Sequence, residues 1–346
     1  MRRILLVAHR WLGLTAGVVF AIASLTGGIL VYQNRVNDVL LGPRADITPG
    51  LVELSVLESS SRQKYPDSRL LFVEWPNPEK QVFSVRMTDG KKQQFLELDP
   101  GSGKVLRTRG THVVVTAVRR FHGSLLLGKV GRTIVQFSTI AGIASLLTGL
   151  YLWWPGILRL AHGFKVRFGK GLYAVTYDLH QTSGVIALPL LLLMSVTGLL
   201  FDSTFVSFGD SSWPSPRSVE QPAGDNSNGL DLAGVVKAAE VAARGQEVIR
   251  VDFPTTPRGV FEVWVADPAR WFGLGSTRLG VDRYTGAVVA RQKVFYDSGI
   301  NDQLHFGSLG GWPVRALYAI VCLVGGGLFF TGALIWWKKG KPLGGR

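Results

Sequence analysis

The chain has 346 residues, of which 47% are hydrophobic and 18% charged, with a mean hydropathy of +0.22. That is too apolar for an ordinary soluble protein of this size and too polar for an all-membrane bundle, so membrane and aqueous parts are both expected. The formal net charge of +14 suits Lys and Arg kept beside membrane spans; no aromatic RNA-binding motif accompanies it, and nucleic acid is not expected as a partner.

The first element is "MRRILLVAHRWLGLTAGVVFAIASLTGGILVY", residues 1–32. It opens like a signal peptide, but its apolar run is about twice a usual signal core and carries His9 and Arg10 in its first third. It reads as a retained transmembrane helix. Three more stretches hold the roughly 20 apolar residues that a helical span in lipid requires: 132–154, 180–202 and 313–337. Trp153, Trp154, Trp336 and Trp337 suit the membrane interface. Cys322 lies in the last apolar run as the single cysteine, which excludes a disulfide framework or a thiolate metal site within one chain.

Residues 33–118 are mixed and water-compatible. Residues 51–65 fit an amphipathic helix, and "RLLFVEWP", "QVFSVRM" and "QQFLELDPGSGKVL" read as strands with turn punctuation. An interfacial segment and the second span follow over 119–155, then a basic loop at 156–177 and the third span at 178–202. Residues 203–300 start with the linker-like "SFGDSSWPSPRSVEQPAGDNSN". They then repeat the helix–strand–strand–strand order in "LDLAGVVKAAEVAARG", "EVIRVDFP", "GVFEVWVADP" and "STRLGVDRYTGAVVA". A second interfacial segment and the fourth span fill 301–338, and 339–346 form a basic tail. Arg2 and Arg3, the loop residues Arg159, Lys165, Arg167 and Lys170, and Lys338, Lys339, Lys341 and Arg346 of the tail all fall on one face of a four-span protein. That face is expected to be cytoplasmic, and the long segments periplasmic if the host is a Gram-negative bacterium.

The order repeats because the sequence repeats. "VEWP" at 73–76 answers "VDFP" at 251–254, and "FSV" at 83–85 answers "FEV" at 261–263, both at an offset of 178. Asp99, Gly103, His122, Arg132, Thr148-Gly149 and Trp153-Trp154 answer Asp282, Gly286, His305, Arg315, Thr331-Gly332 and Trp336-Trp337 at 183. His9, Gly13, Ser24 and Thr26-Gly27 answer His180, Gly184, Ser195 and Thr197-Gly198 at 171. Each half is therefore span, outer α/β segment, span. Two halves of like orientation imply a pseudo-two-fold axis along the membrane normal.

Four of the six histidines fall on repeat-equivalent positions. Ionisable groups at membrane depth are costly and mark functional sites. The pseudo-two-fold places His9 near His180 on the cytoplasmic side and His122 near His305 on the outer side. Two facing imidazoles supply both axial ligands of a haem iron. Zinc and copper sites want three or four protein ligands, and no Cys or acidic residue at helical spacing completes such a set. The expectation is two b-type haems, an inner one on His9 and His180 and an outer one on His122 and His305. Arg10, Arg119, Arg120, Arg132 and Arg315 are candidate propionate contacts, with ordinary interfacial snorkelling as their other use. His112 and His162 have no repeat partner and read as surface residues; a shifted register would let His112 take a ligand position. The 32 residues from His122 to Trp154 make about 48 Å of straight helix, too long for a bilayer. A break is expected in "GSLLLGKVG" and in "GSLGGWPV".

These residues resemble a known family, the PepSY-associated transmembrane proteins, which include bacterial ferric-siderophore reductases of the inner membrane. The carriers are "AHRWLGLTAG", "LDPGSGKVL", "VDRYTGAVV", "DLHQTSG", "LHFGSLGG" and the TGxxxWWP-like span end at 148–155. The resemblance implies a four-helix transmembrane bundle from an internal duplication, with two periplasmic α+β PepSY-type domains and b-type haem. It implies an oxidoreductase that reduces a ferric siderophore on the periplasmic side of the inner membrane and releases ferrous iron, with both termini cytoplasmic and lipid around the spans. No GxGxxG follows a strand and no phosphate-cradling loop is present, so a cytoplasmic flavoprotein or a membrane quinol must supply the electrons. Trp213, Trp264, Trp271 and Trp312 are candidates for an outer platform. No catalytic residue is identified beyond the haem ligands. Two competing readings are a non-catalytic, membrane-anchored PepSY module that binds or inhibits a periplasmic protein, and a metal or siderophore permease. The permease reading lacks a carboxylate-lined span.

Overall fold

The structure is a computed structural model that describes residues 1–42, 46–77, 80–108, 110–201, 229–256, 259–266, 276–294 and 298–339. The linker at 207–228 with Trp213, the stretch around Trp271, and Lys341 and Arg346 lie outside the described residues. In chain order the helices are α1 (Arg2–Leu30), α2 (Gln33–Leu41), α3 (Leu54–Lys64), α4 (Val113–Ser124), α5 (Gly128–Trp153), α6 (Leu160–Gly163), α7 (Gly171–Leu200), α8 (Leu232–Ala242), α9 (Ser298–Phe306) and α10 (Gly311–Lys339). The strands are β1 (Arg69–Glu74), β2 (Phe83–Thr88), β3 (Gln93–Leu98), β4 (Val105–Arg107), β5 (Val248–Asp252), β6 (Phe261–Ala266), β7 (Ser276–Val281) and β8 (Val288–Val294). They form two compact units: Met1–Gln33, Val113–Ser207 and Asn301–Arg346 make one, and Asn34–His112 with Phe208–Ile300 the other.

In the helical unit, four segments are long and apolar enough to cross a membrane: Arg2–Leu30, Gly128–Trp153, Phe168–Leu200 and Ser308–Lys338. They form a ring in which α1 packs on α5 and α10, and α7 packs on α10 and α5. Ala187, Leu191 and Val321 are buried where α7 meets α10. The third helix starts at Gly171, earlier than the polar "YDLH" suggested. Its carboxylate is satisfied there: Asp178 is buried, and Arg167 donates to it from Nε at 2.8 Å and Nη2 at 2.7 Å.

The chain breaks before the second span. Leu125 and Leu126 take φ of 50° and 62° between α4 and α5, and Gly128 takes 58°. Gly307 and Gly311, at φ of 65° and 66°, make the corresponding break between α9 and α10. These left-handed positions are where glycine is favoured and a leucine is strained. They cut each long apolar stretch into a short helix carrying a histidine and a span. The short helix α4 starts at Val113 rather than at 119, with Val115 buried on it.

In the second unit the strands make one eight-stranded antiparallel sheet, ordered β4-β3-β2-β1-β5-β6-β7-β8. The sequence treats the two outer segments as separate domains, whereas β1 and β5 join them edge to edge. One apolar core runs under both halves. Leu57 of α3 and Val235 and Ala239 of α8 pack with Val73, Val85, Leu96, Val251, Val263 and Leu279 of the strands. The matching hairpins are built alike. Asp99 accepts from Ser102 N at 2.8 Å, Asp282 accepts from Thr285 N at 3.0 Å, and Gly103 and Gly286 close the turns at φ of 68° and 71°.

Candidate functional site

His9 on α1 and His180 on α7 face one another across the ring of helices, with ring centroids 6.3 Å apart. His122 on α4 and His305 on α9 form the second pair, at 6.2 Å. Both pairs lie within the helical unit. Two imidazoles sharing one metal through bonds of roughly 2.0 Å stand with ring centroids on the order of 6.3 Å apart. The observed separations fit that, and they also match an edge-to-face ring pair, whose centroids lie about 4.5–7 Å apart.

Each histidine sits in a notch cut by a Thr-Gly pair on a neighbouring helix. A side chain at Gly27 would have its Cβ 3.2 Å from His122 Cε1; at Gly149, 3.0 Å from His9; at Gly198, 3.2 Å from His305; at Gly332, 3.3 Å from His180. A Cβ at any of the four would press on the ring, which would have to shift to make room. The preceding threonine meets Nδ1 in every case: Thr26 with His122 at 3.1 Å, Thr148 with His9 at 3.2 Å, Thr197 with His305 at 3.0 Å and Thr331 with His180 at 2.8 Å.

A backbone carbonyl three residues before each threonine completes the cradle. His122 Nδ1 lies 2.9 Å from Ala23 O, and His9 Nδ1 lies 3.0 Å from Ser145 O. The backbones of Met194 and Leu328 take the same place for His305 and His180. A carbonyl only accepts, so Nδ1 carries the proton and Nε2 holds the free lone pair. No described residue hydrogen-bonds Nε2 of any of the four. The result is four imidazoles of fixed tautomer, in two facing pairs, each presenting a metal-binding nitrogen. Among the described residues no group of three or more His, Cys, Asp and Glu is placed to hold a metal ion. Two imidazoles per site are a donor set that suits a metal bringing its own equatorial ligands.

Helix geometry explains why one helix serves both sites. Gly27 follows His9, and Gly198 follows His180, by 18 residues. Eighteen residues make about five turns of 3.6, so ligand and notch share a face, about 27 Å apart along the axis.

The His122–His305 pair opens into a cavity of about 620 Å³, within the range of about 300–1,000 Å³ typical of cofactor sites. Arg119, Arg120 and Arg132 line it, with Asp302 as the acidic group. Arg119 also donates to Gln33 at 2.6 Å. Arg315 does not line this cavity, and the exposed Arg10 lies over the Trp11 ring at 5.7 Å. His162 is exposed on α6, and the backbone N–H of His112 donates to Asn37 in the sheet unit. Cys322 packs beside Gly27 and Gly28, and the exposed Trp312 starts α10. Trp264 lies on β6, donating to Asp252 at 3.1 Å.

The sequence marked the Thr-Gly pairs as repeats without indicating their use. It also gave no sign of Gln136, which is buried, lines the cavity and has no hydrogen-bond partner for its Nε2. Its counterpart at an offset of 183 is Ala319, so no repeat flags it.

The fold and site define a membrane protein with four apolar helices, a large antiparallel sheet and two interhelical histidine pairs. The chain belongs to the family described as the PepSY-associated TM region, whose model matches residues 6–339. No curated protein matches it. Among solved structures it is similar to a protein of Clostridium difficile 630 assigned as a lipoprotein, with 9% identity over 71% of this chain and 96% of that one, at a TM-score of 0.30.

Proposed function

We propose that this chain is a transmembrane b-haem electron-transfer protein that reduces a ferric siderophore on the periplasmic side of the inner membrane and releases ferrous iron. The observation that carries the reading is the two facing pairs of imidazoles, each with Nδ1 held by acceptors and Nε2 free. Haem bound between each pair supplies a one-electron Fe(III)/Fe(II) couple.

His9 and His180 hold the inner group, and His122 and His305 the outer one. Arg119, Arg120 and Arg132 supply the positive charge that two propionates require beside the outer pair. The four glycines give the rings room, and the carbonyl acceptors keep the ligating nitrogens deprotonated. Internal duplication accounts for the repeated notches and for the paired half-sheets. The basic ends and the basic 156–177 loop support cytoplasmic termini and a periplasmic sheet. Electrons come from a cytoplasmic flavoprotein or a membrane quinol. Their acceptor is ferric iron in a shell of hard oxygen donors, which holds ferrous iron more weakly.

The test is the visible spectrum of the purified full-length protein from haem-replete cells. A Soret band, with α and β bands that sharpen on dithionite reduction and relax when a ferric siderophore is added, is the expected result. A colourless protein overturns the proposal and favours a PepSY module that only binds a periplasmic protein.

A further inference from the structure

We propose that the hydroxyls of Thr26, Thr148, Thr197 and Thr331 are positioning residues that set how strongly the four histidines bind metal through Nε2. The proposal rests on the haem reading above and assigns each threonine to one site: Thr26 and Thr197 to the outer pair, Thr148 and Thr331 to the inner.

A threonine inside a helix commonly does no more than return a hydrogen bond to the carbonyl four residues back. All four do this: Thr26 to Ile22 at 2.6 Å, Thr148 to Ala144 at 2.8 Å, Thr197 to Leu193 at 2.7 Å and Thr331 to Gly327 at 2.9 Å. Each hydroxyl has one hydrogen, and that bond uses it. Toward the imidazole the oxygen therefore has only lone pairs to offer. It acts as a second acceptor for Nδ1–H beside the backbone carbonyl, at 2.8–3.2 Å in all four notches. The helical back-bond is thus what points the acceptor at the ring.

An acceptor on Nδ1–H pushes electron density into the imidazole and raises the basicity of Nε2. A more basic axial ligand favours ferric over ferrous iron, so the iron's potential falls. The carbonyl remains when a hydroxyl is removed. The hold on the ring is then weakened rather than lost.

Potentiometric titration of the purified full-length protein, followed optically, tests this. The wild type is compared with Thr26→Val, Thr26→Ser, Thr331→Val and Thr331→Ser. The two waves are assigned with His122→Ala and His180→Ala. Thr26→Val should move the outer wave to higher potential and leave the inner one, Thr331→Val should do the reverse, and both serine variants should titrate like wild type. Two bound haems whose potentials ignore both valine changes overturn the proposal and leave the functional reading standing. If a valine variant loses its haem, the serine variant decides. Retention at the wild-type potential supports the hydroxyl's role, and loss in serine as well overturns it. A wild-type protein without haem fails at an earlier, separate step and overturns the functional reading itself.

Discussion

Val73 pairs with Val251 across the seam between β1 and β5, and Val251 is the counterpart of Val73 at the offset of 178. The flanking pairs, Phe72 with Asp252 and Glu74 with Arg250, are likewise exchanged by the repeat. A residue that pairs with its own counterpart in antiparallel strands lies on a local two-fold axis through the sheet. Both valines are fully buried at 0% exposure. They close a sheet whose halves otherwise present open edges.

Val73→Ala and Val251→Ala should each destabilise the sheet unit by about 2 kcal/mol, the cost of lost burial and a small cavity. Because the two side chains meet, the double variant should depart from additivity. Denaturation followed by circular dichroism measures this. Changes under about 0.5 kcal/mol, the level of ordinary surface substitutions, would show that the two halves do not depend on the seam.

Much of this architecture could be read in the sequence, for a reason that also sets the limit. Offsets of 171, 178 and 183 tell which residues are equivalent, and equivalence selects His9 with His180 and His122 with His305. Apolar length locates the spans, and Gly-rich stretches locate the breaks after α4 and α9. Offsets carry no distances. They do not reveal that β1 and β5 fuse two outer segments into one sheet, because an edge strand looks the same alone or paired. They do not tell that Thr148 serves His9, since a Thr-Gly pair in a span is a common packing element. Asp178 obscured the start of α7 because its partner Arg167 lies 11 positions upstream, beyond helical spacing.

The histidine pairs are separable in space, so their loss should be separable in experiment. With two haems bound as proposed, His122→Ala or His305→Ala should leave about one haem per chain, the survivor being the inner one. His9→Ala or His180→Ala should leave the outer one. Pyridine haemochrome content with redox titration gives the count and the identity. Equal loss from both sites in every single variant would contradict two independent ligand pairs.

The glycine notches make a sharper case, because the substitution replaces no ligand. Gly149→Ala puts a Cβ 3.0 Å from His9 Cε1, and Gly27→Ala puts one 3.2 Å from His122 Cε1. Such contacts force the ring to tilt or the helices to separate, and cores resist both. Gly149→Ala should deplete the inner haem and Gly27→Ala the outer. Gly327→Ala, on a span but away from the cavity lining and with open space around it, should change neither. Haem content per chain across the three variants checks it; depletion by Gly327→Ala to the same degree would remove the notch explanation.

The rings of each pair are crossed rather than parallel, at 80° for His9 and His180 and 63° for His122 and His305. Each Thr-Gly pair contacts its own ring from a different helix. Axial ligand identity and orientation are among the protein's levers on a haem iron. Crossed imidazole planes leave the two π-interacting d orbitals of low-spin ferric iron close in energy, and the spread of g values widens as they approach. The oxidised protein should therefore give strongly anisotropic low-spin EPR signals, more extreme for the inner site at 80° than for the outer at 63°. Spectra of His122→Ala, which isolates the inner site, and His180→Ala, which isolates the outer, assign the two. Ordinary rhombic signals from both variants would mean that the rings turn parallel when the sites fill, and that the notches do not govern their orientation.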